Sequence, residues 1–97
     1  MTAYVIAQVD VTDPEQYEQY RALVPPTLAQ YGGEFIVRGG DMAVLEGDMP
    51  YPRVVVLKFD SMDAAKAWHA SPEYAAAKAI RQSASDSLLI AVEGYDG

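Results

Sequence analysis

His69 is the only histidine of this 97-residue chain, and there is no cysteine. A metal centre needs three or four suitably spaced ligands, so no metal site and no bound redox cofactor are expected. Disulfides and thiol nucleophiles are excluded outright. His69 reads either as a surface imidazole shortly before Pro72 or as a general base, a role that requires an orienting partner. Arg38 stands beside Gly39-Gly40, and Arg81 lies in the C-terminal third. Guanidinium groups reaching a pocket would favour a carboxylate or phosphate. Their alternative is an internal ion pair with one of fourteen acidic residues, such as Glu73 or Asp86. Tyr17, Tyr20, Tyr31, Trp68 and Tyr74 form an aromatic set that reads as core, with hydroxyls that need partners and so could line a pocket. Asp86, between Ser85 and Ser87, suits a turn or cap, or else a catalytic carboxylate. Gly32-Gly33 and Gly39-Gly40 lack the spacing of a phosphate loop or dinucleotide fingerprint. No Ser/His/Asp order and no paired-carboxylate pattern stands out.

The whole chain narrows the partners. It carries seven basic and fourteen acidic residues, a formal charge of −7, with the basic ones scattered from Arg21 to Arg81. Nucleic acids and anionic membranes call for clustered Lys and Arg, so neither is an expected partner. Apolar residues make up 51% and charged residues 22%, a globular balance in a length that suits one domain, residues 1–97. The first residues lack a basic segment followed by a long apolar one, and Val54-Val55-Val56-Leu57 is far shorter than the roughly 18 residues of a membrane span. A cytoplasmic location is the resulting expectation.

These side chains must be positioned by a small set of elements. Ala3–Val11 alternates and predicts a first strand. Thr12-Asp13-Pro14-Glu15 is a helix start, a side-chain cap followed by proline. Tyr17, Tyr20, Val24, Leu28 and Tyr31 then form one apolar stripe, with a kink or break expected at Pro25-Pro26 and an end at Gly32-Gly33. Glu34–Arg38 predicts a second strand, and residues 42–46 a bent or bulged extension of the same edge. Two prolines make residues 47–52 a loop, and the Val-rich Arg53–Phe59 is a third strand. Ser61-Met62-Asp63 opens a second helix that restarts at Ser71-Pro72-Glu73 and carries Tyr74, Ala77, Ile80 and Ala84. Residues 87–93 form the last strand, and residues 94–97 a tail.

The order β-α-β-β-α-β predicts a ferredoxin-like α+β protomer: a four-stranded antiparallel sheet with its helices on one face. Two helices cover only one side of such a sheet. Yet Val54 and Val56 oppose Val55, Leu57 and Phe59, while Leu88, Ile90 and Val92 oppose Leu89 and Ala91. Both faces are apolar, which predicts a homodimer closed sheet to sheet.

Several stretches carry a family resemblance. They are Pro25-Pro26-Thr27-Leu28-Ala29-Gln30-Tyr31-Gly32-Gly33, Val37-Arg38-Gly39-Gly40, Leu45-Glu46-Gly47, Ala67-Trp68, Ser71-Pro72-Glu73-Tyr74 and Ala84-Ser85-Asp86. Together they resemble the "domain of unknown function 1330" family, within the dimeric α+β barrel superfamily, over nearly the whole chain. The resemblance implies a ferredoxin-like protomer and a barrel of two sheets, and it implies no particular activity. The wider superfamily includes monooxygenases, dye-decolourising and muconolactone-type enzymes, and stress-response proteins. Two classes of function follow. One is a binder of a small anionic or aromatic molecule in the helix–sheet cleft, or a cofactor-free enzyme, monooxygenase- or isomerase-like, acting on it. The other is a non-catalytic dimerisation module whose cleft is filled by its own side chains. A ligand site is expected where Arg38, Trp68, Tyr74 and Arg81 border that cleft, with Tyr20 and His69 as secondary candidates.

Overall fold

Asp13 begins the first helix: its carboxylate accepts the Gln16 amide at 3.2 Å, and Pro14 takes the first turn, where a missing N–H is harmless. In the computed structural model, which describes residues 1–95, the chain runs β1 (Ala3–Val11), α1 (Pro14–Gln30), β2 (Glu34–Arg38), β3 (Arg53–Phe59), α2 (Met62–Ala70), α3 (Pro72–Ala84) and β4 (Ser85–Glu93). Asp96 and Gly97 of the expected tail lie outside the described residues. The four strands form one antiparallel sheet in the order β2-β3-β1-β4. This is a ferredoxin-like α+β fold. The cap at Ser71 ends α2 and starts α3, since its hydroxyl donates to the Trp68 carbonyl at 2.7 Å and accepts the Tyr74 amide at 3.1 Å.

Strand parity assigns the two faces. Val5, Ala7 and Val9 of β1 sit beside Leu57, Val55 and Arg53 of β3, and the odd-numbered residues of β4 complete this helix-facing side. It packs against Tyr17, Val24 and Leu28 of α1 and against Ala65, Trp68, Tyr74, Ala77 and Ala84 of α2 and α3. Ile6, Val54, Val56, Leu88, Ile90 and Val92 point the other way, and no described element covers them. Leu88 and Ile90 are each 49% exposed.

The structure departs from the expected layout in three places. First, of the kink or break expected at Pro25-Pro26, the break does not occur: α1 continues through both prolines. Pro25 has no N–H for the carbonyl four residues back, that of Arg21. Arg38 Nη2 donates to that oxygen at 3.0 Å, replacing the missing helix bond from outside. Second, residues 42–46 are an exposed loop, not a strand extension. Gly39 turns the chain out of the sheet at φ 68°, in the space beside the Arg53 guanidinium where a Cβ would clash, and the bulge lies inside β2, between Phe35 and Val37. Third, β4 begins at Ser85 rather than residue 87, because Ser85 and Asp86 pair with Val11 and Asp10. Asp86 is therefore an exposed ladder residue on the uncovered face, neither a turn nor a cap nor a cleft group.

Gly33 is fixed by close approach. A Cβ there would come within 2.7 Å of the Phe59 ring and 2.9 Å of Leu28. Gly33→Ala should lower stability by about 1–3 kcal/mol, the range for overpacking a tight core. Urea unfolding checks this, and a loss below about 0.5 kcal/mol would mean that the Gly33 turn is looser than described.

Candidate functional site

Between α1, α3 and the helix-facing side of the sheet lies a narrow cleft that opens to solvent. Its floor is β1, β3 and β4, with Ala7, Val9, Val55, Leu57 and Leu89 facing up; α1 supplies Tyr17, Tyr20, Arg21 and Val24. The helical stripe that buries Tyr17, Val24 and Leu28 also turns Arg21 inward, four residues after Tyr17. Arg53 enters by strand parity, two residues before Val55 and four before Leu57, on the same face.

All four arginines of the sequence, Arg21, Arg38, Arg53 and Arg81, line this cleft, and no Asp or Glu does. Their environments differ. Arg21 pairs with Glu18 at 2.7 Å on the exposed side of α1, while its Nε is buried without a partner. Arg53 stacks on the Tyr17 ring at 5.6 Å and likewise keeps a buried Nε unpaired. Arg38 lies over the Phe35 ring at 4.2 Å and holds the Arg21 carbonyl. Arg81 is 5% exposed. Its Nε donates to the Tyr74 hydroxyl at 3.3 Å, and its Nη1 donates to Ser87 Oγ. Neither Arg38 nor Arg81 forms an ion pair among the described residues: Glu73 instead accepts the Tyr31 hydroxyl at 2.9 Å, and Asp86 lies exposed on the uncovered side of the sheet.

The aromatic set divides between core and cleft. Trp68 and Tyr74 stack at 4.1 Å and are wholly buried. Trp68 still forms part of the cleft wall, whereas Tyr74 stands behind it, its hydroxyl 2.8 Å from that of Tyr20. Tyr20 lines the cleft. Burial raises the Tyr20 phenol far above its ordinary value, and Tyr74 beside it adds to the effect. It is a neutral hydrogen-bonding group at physiological pH, not a phenolate base. Tyr31 closes the far end of α1 onto α3 and does not line the cleft.

Of the six candidate residues, the fold thus brings Arg38, Trp68, Arg81 and Tyr20 to the cleft wall and Tyr74 directly behind it. His69 is not on the wall. It is exposed beside two neighbouring depressions, one of them bounded by Ser85, Asp86 and Ser87, and its carbonyl accepts Lys78 Nζ at 2.9 Å. Partial burial and then the charges of Lys78 and Arg81 lower its pKa from the ordinary imidazole value. Among the described residues no group of three or more His, Cys, Asp or Glu side chains is placed to hold a metal ion. Likewise no described helix is long and apolar enough to cross a membrane.

A family model described as "Domain of unknown function (DUF1330)" matches residues 2–95. A comparison with curated proteins gives no match. Among solved structures the chain is similar to a protein of unknown function from Rhodopseudomonas palustris, with 21% identity and a TM-score of 0.81 over 99% of this chain and 84% of that one. It is similar also to a dimeric ferredoxin-like protein of unknown function from Jannaschia sp. CCS1, with 14% identity and a TM-score of 0.80 over 97% and 100%. A lower TM-score, 0.59 at 16% identity over 99% and 95%, relates it to SnoaB, a cofactor-independent oxygenase from Streptomyces nogalater. At these identities the likeness is one of fold.

Proposed function

The chain belongs to the domain of unknown function 1330 family, a membership that leaves the chemistry to the site, and we propose from the site that the protein binds a small aromatic carboxylate in the helix–sheet cleft. The observation that carries this is the charge inversion. In a chain of formal charge −7, the four arginines share one cleft whose lining holds no acid. A buried guanidinium is stable only with compensation, and here Tyr74 and Ser87 supply neutral partners but no counter-charge. An anion in the cleft completes it. Its apolar body would rest on Val55, Ala7 and Leu89, against the rings of Tyr17 and Trp68.

The same reading includes a homodimer joined through the uncovered sheet face. Its support is the apolar row Ile6, Val56 and Ile90 across three strands, together with dimeric ferredoxin-like proteins of the same fold. We place the assembly in the cytoplasm, away from nucleic acid and membranes.

A thermal-shift series with benzoate, acetate and inorganic phosphate tests the site. At a hundredfold excess over Kd a ligand stabilises by about 2.7 kcal/mol, a rise in Tm of about 10 °C or more for a domain of this size. Benzoate should stabilise most, the effect should shrink as salt rises, and Arg53→Ala and Arg81→Ala should lose it. Equal stabilisation of all three proteins would move the site elsewhere. A second reading, cofactor-free oxygenation of such a ligand, has its support in the fold of SnoaB. Dioxygen uptake with a carboxylate that stabilises the protein would favour it over binding alone.

A further inference from the structure

The hydrogen bonds behind the cleft have a direction, and Arg81 sets it. A guanidinium carries N–H donors and no acceptor, so at the 3.3 Å contact Arg81 donates and the Tyr74 oxygen accepts. Tyr74 is wholly buried, and among the described residues the acceptor within reach of its own proton is the Tyr20 oxygen, 2.8 Å away. A buried hydroxyl proton without an acceptor is strongly unfavourable. Tyr74 therefore donates to Tyr20. That leaves the Tyr20 proton over, and no described residue takes it up. Tyr20 is the member of the pair that lines the cleft.

Resting on the reading of this cleft as an anion site, we infer that Tyr20 is the residue that selects the ligand's acidic group, by donating its hydroxyl proton to a carboxylate oxygen drawn in by the arginines. Tyr74 is a positioning residue, since it passes the donor sense from Arg81 to Tyr20 without touching ligand. The wall then presents guanidinium N–H groups and the Tyr20 O–H, with the Tyr17 hydroxyl beside them and no carboxylate. A ligand group rich in acceptors fits it. An ammonium or amidinium meets positive charge and a donor and is rejected on both counts. The ligand is thus a planar acid whose carboxylate meets the Tyr20 hydroxyl and whose ring lies over the small residues Ala7 and Val55.

The test is benzoate titrated into the full-length protein, followed by Trp68 fluorescence and by proton NMR. Tyr20→Phe keeps the ring and its edge contact with Tyr74 but removes the donor. Benzoate should bind Tyr20→Phe at least tenfold more weakly than wild type, the loss expected for one hydrogen bond to a charged group. In the wild-type protein the Tyr20 hydroxyl proton, assigned through its contacts with the ring, should move downfield as benzoate saturates the site. Equal affinity for wild type and Tyr20→Phe overturns the role of Tyr20 while leaving the cleft as the site. Binding that also survives Arg53→Ala and Arg81→Ala overturns the cleft itself, and no binding of benzoate to wild type overturns both. Should Tyr20→Phe fail to fold by circular dichroism, the wild-type hydroxyl resonance decides, and an unmoved signal on saturation overturns the inference.

Discussion

Val56→Asp should dissociate a dimer of twice 10.6 kDa, while Leu57→Asp, one residue along the same strand, should abolish folding. The two positions differ only in the face they occupy. Leu57 is 4% exposed beneath the helices, next to Val5 and Phe35. A carboxylate there would be desolvated without a partner, a loss of several kcal/mol from a domain whose total stability is of order 5–15 kcal/mol. Val56 lies on the opposite side, between Ile6 and Val37, where only a second molecule can bury it. In the protomer an aspartate at Val56 stays hydrated, but in a dimer it would be buried against apolar side chains. Light scattering and far-UV circular dichroism separate the outcomes. A folded wild-type monomer at micromolar concentration would remove the dimer, and a well-folded Leu57→Asp protein would contradict the assignment of faces.

Trp68→Ala should cost about 3–5 kcal/mol, a large part of the stability of so small a core. Trp68 is fully buried, stacks on Tyr74 at 4.1 Å and on Phe59 at 5.6 Å, and donates from Nε1 to Thr27 Oγ1 at 3.0 Å. That last bond ties α2 to α1 just past the proline pair, where Thr27 in turn donates to the Val24 carbonyl at 2.7 Å. Removal of the indole therefore opens a cavity and unfastens two helices together. Unfolding in urea, followed at the helical dichroism band, measures it. A loss under about 1 kcal/mol would mean that the core closes over the gap and that Trp68 is no keystone.

The elements were largely legible because each carries its own local signal. Asp13-Pro14 and Ser71-Pro72 are capping signals, and the alternation in Arg53–Phe59 fixes which valines face the helices. The cleft was legible only in part. Arg38 and Arg81 stood out by their neighbours, Gly39 and the aromatic helix. Arg21 and Arg53 did not, although parity with Leu57 and the stripe from Tyr17 to Leu28 pointed inward for both. Arginines at positions 21, 38, 53 and 81 look scattered along the chain, and only the β2-β3-β1-β4 order with the helices above it draws them together. The unbroken α1 was out of reach for a related reason. The group that compensates Pro25 comes from a different strand, so no local reading of the helix contains it.

That borrowed bond joins two pieces that would otherwise loosen separately. β2 is five residues long, bulged and at the edge of the sheet, the kind of segment that frays first. Because Arg38 at its end closes the gap in the middle of α1, detaching the strand also strips the helix of a hydrogen bond at its weakest turn. Amide exchange at the edge and at the helix centre should therefore rise together when Arg38 is replaced, even though the sequence sets the two ends of the bond seventeen residues apart. Residues of the same unit line the cleft, so loosening Arg38 should disturb strand, helix and wall together rather than one side chain.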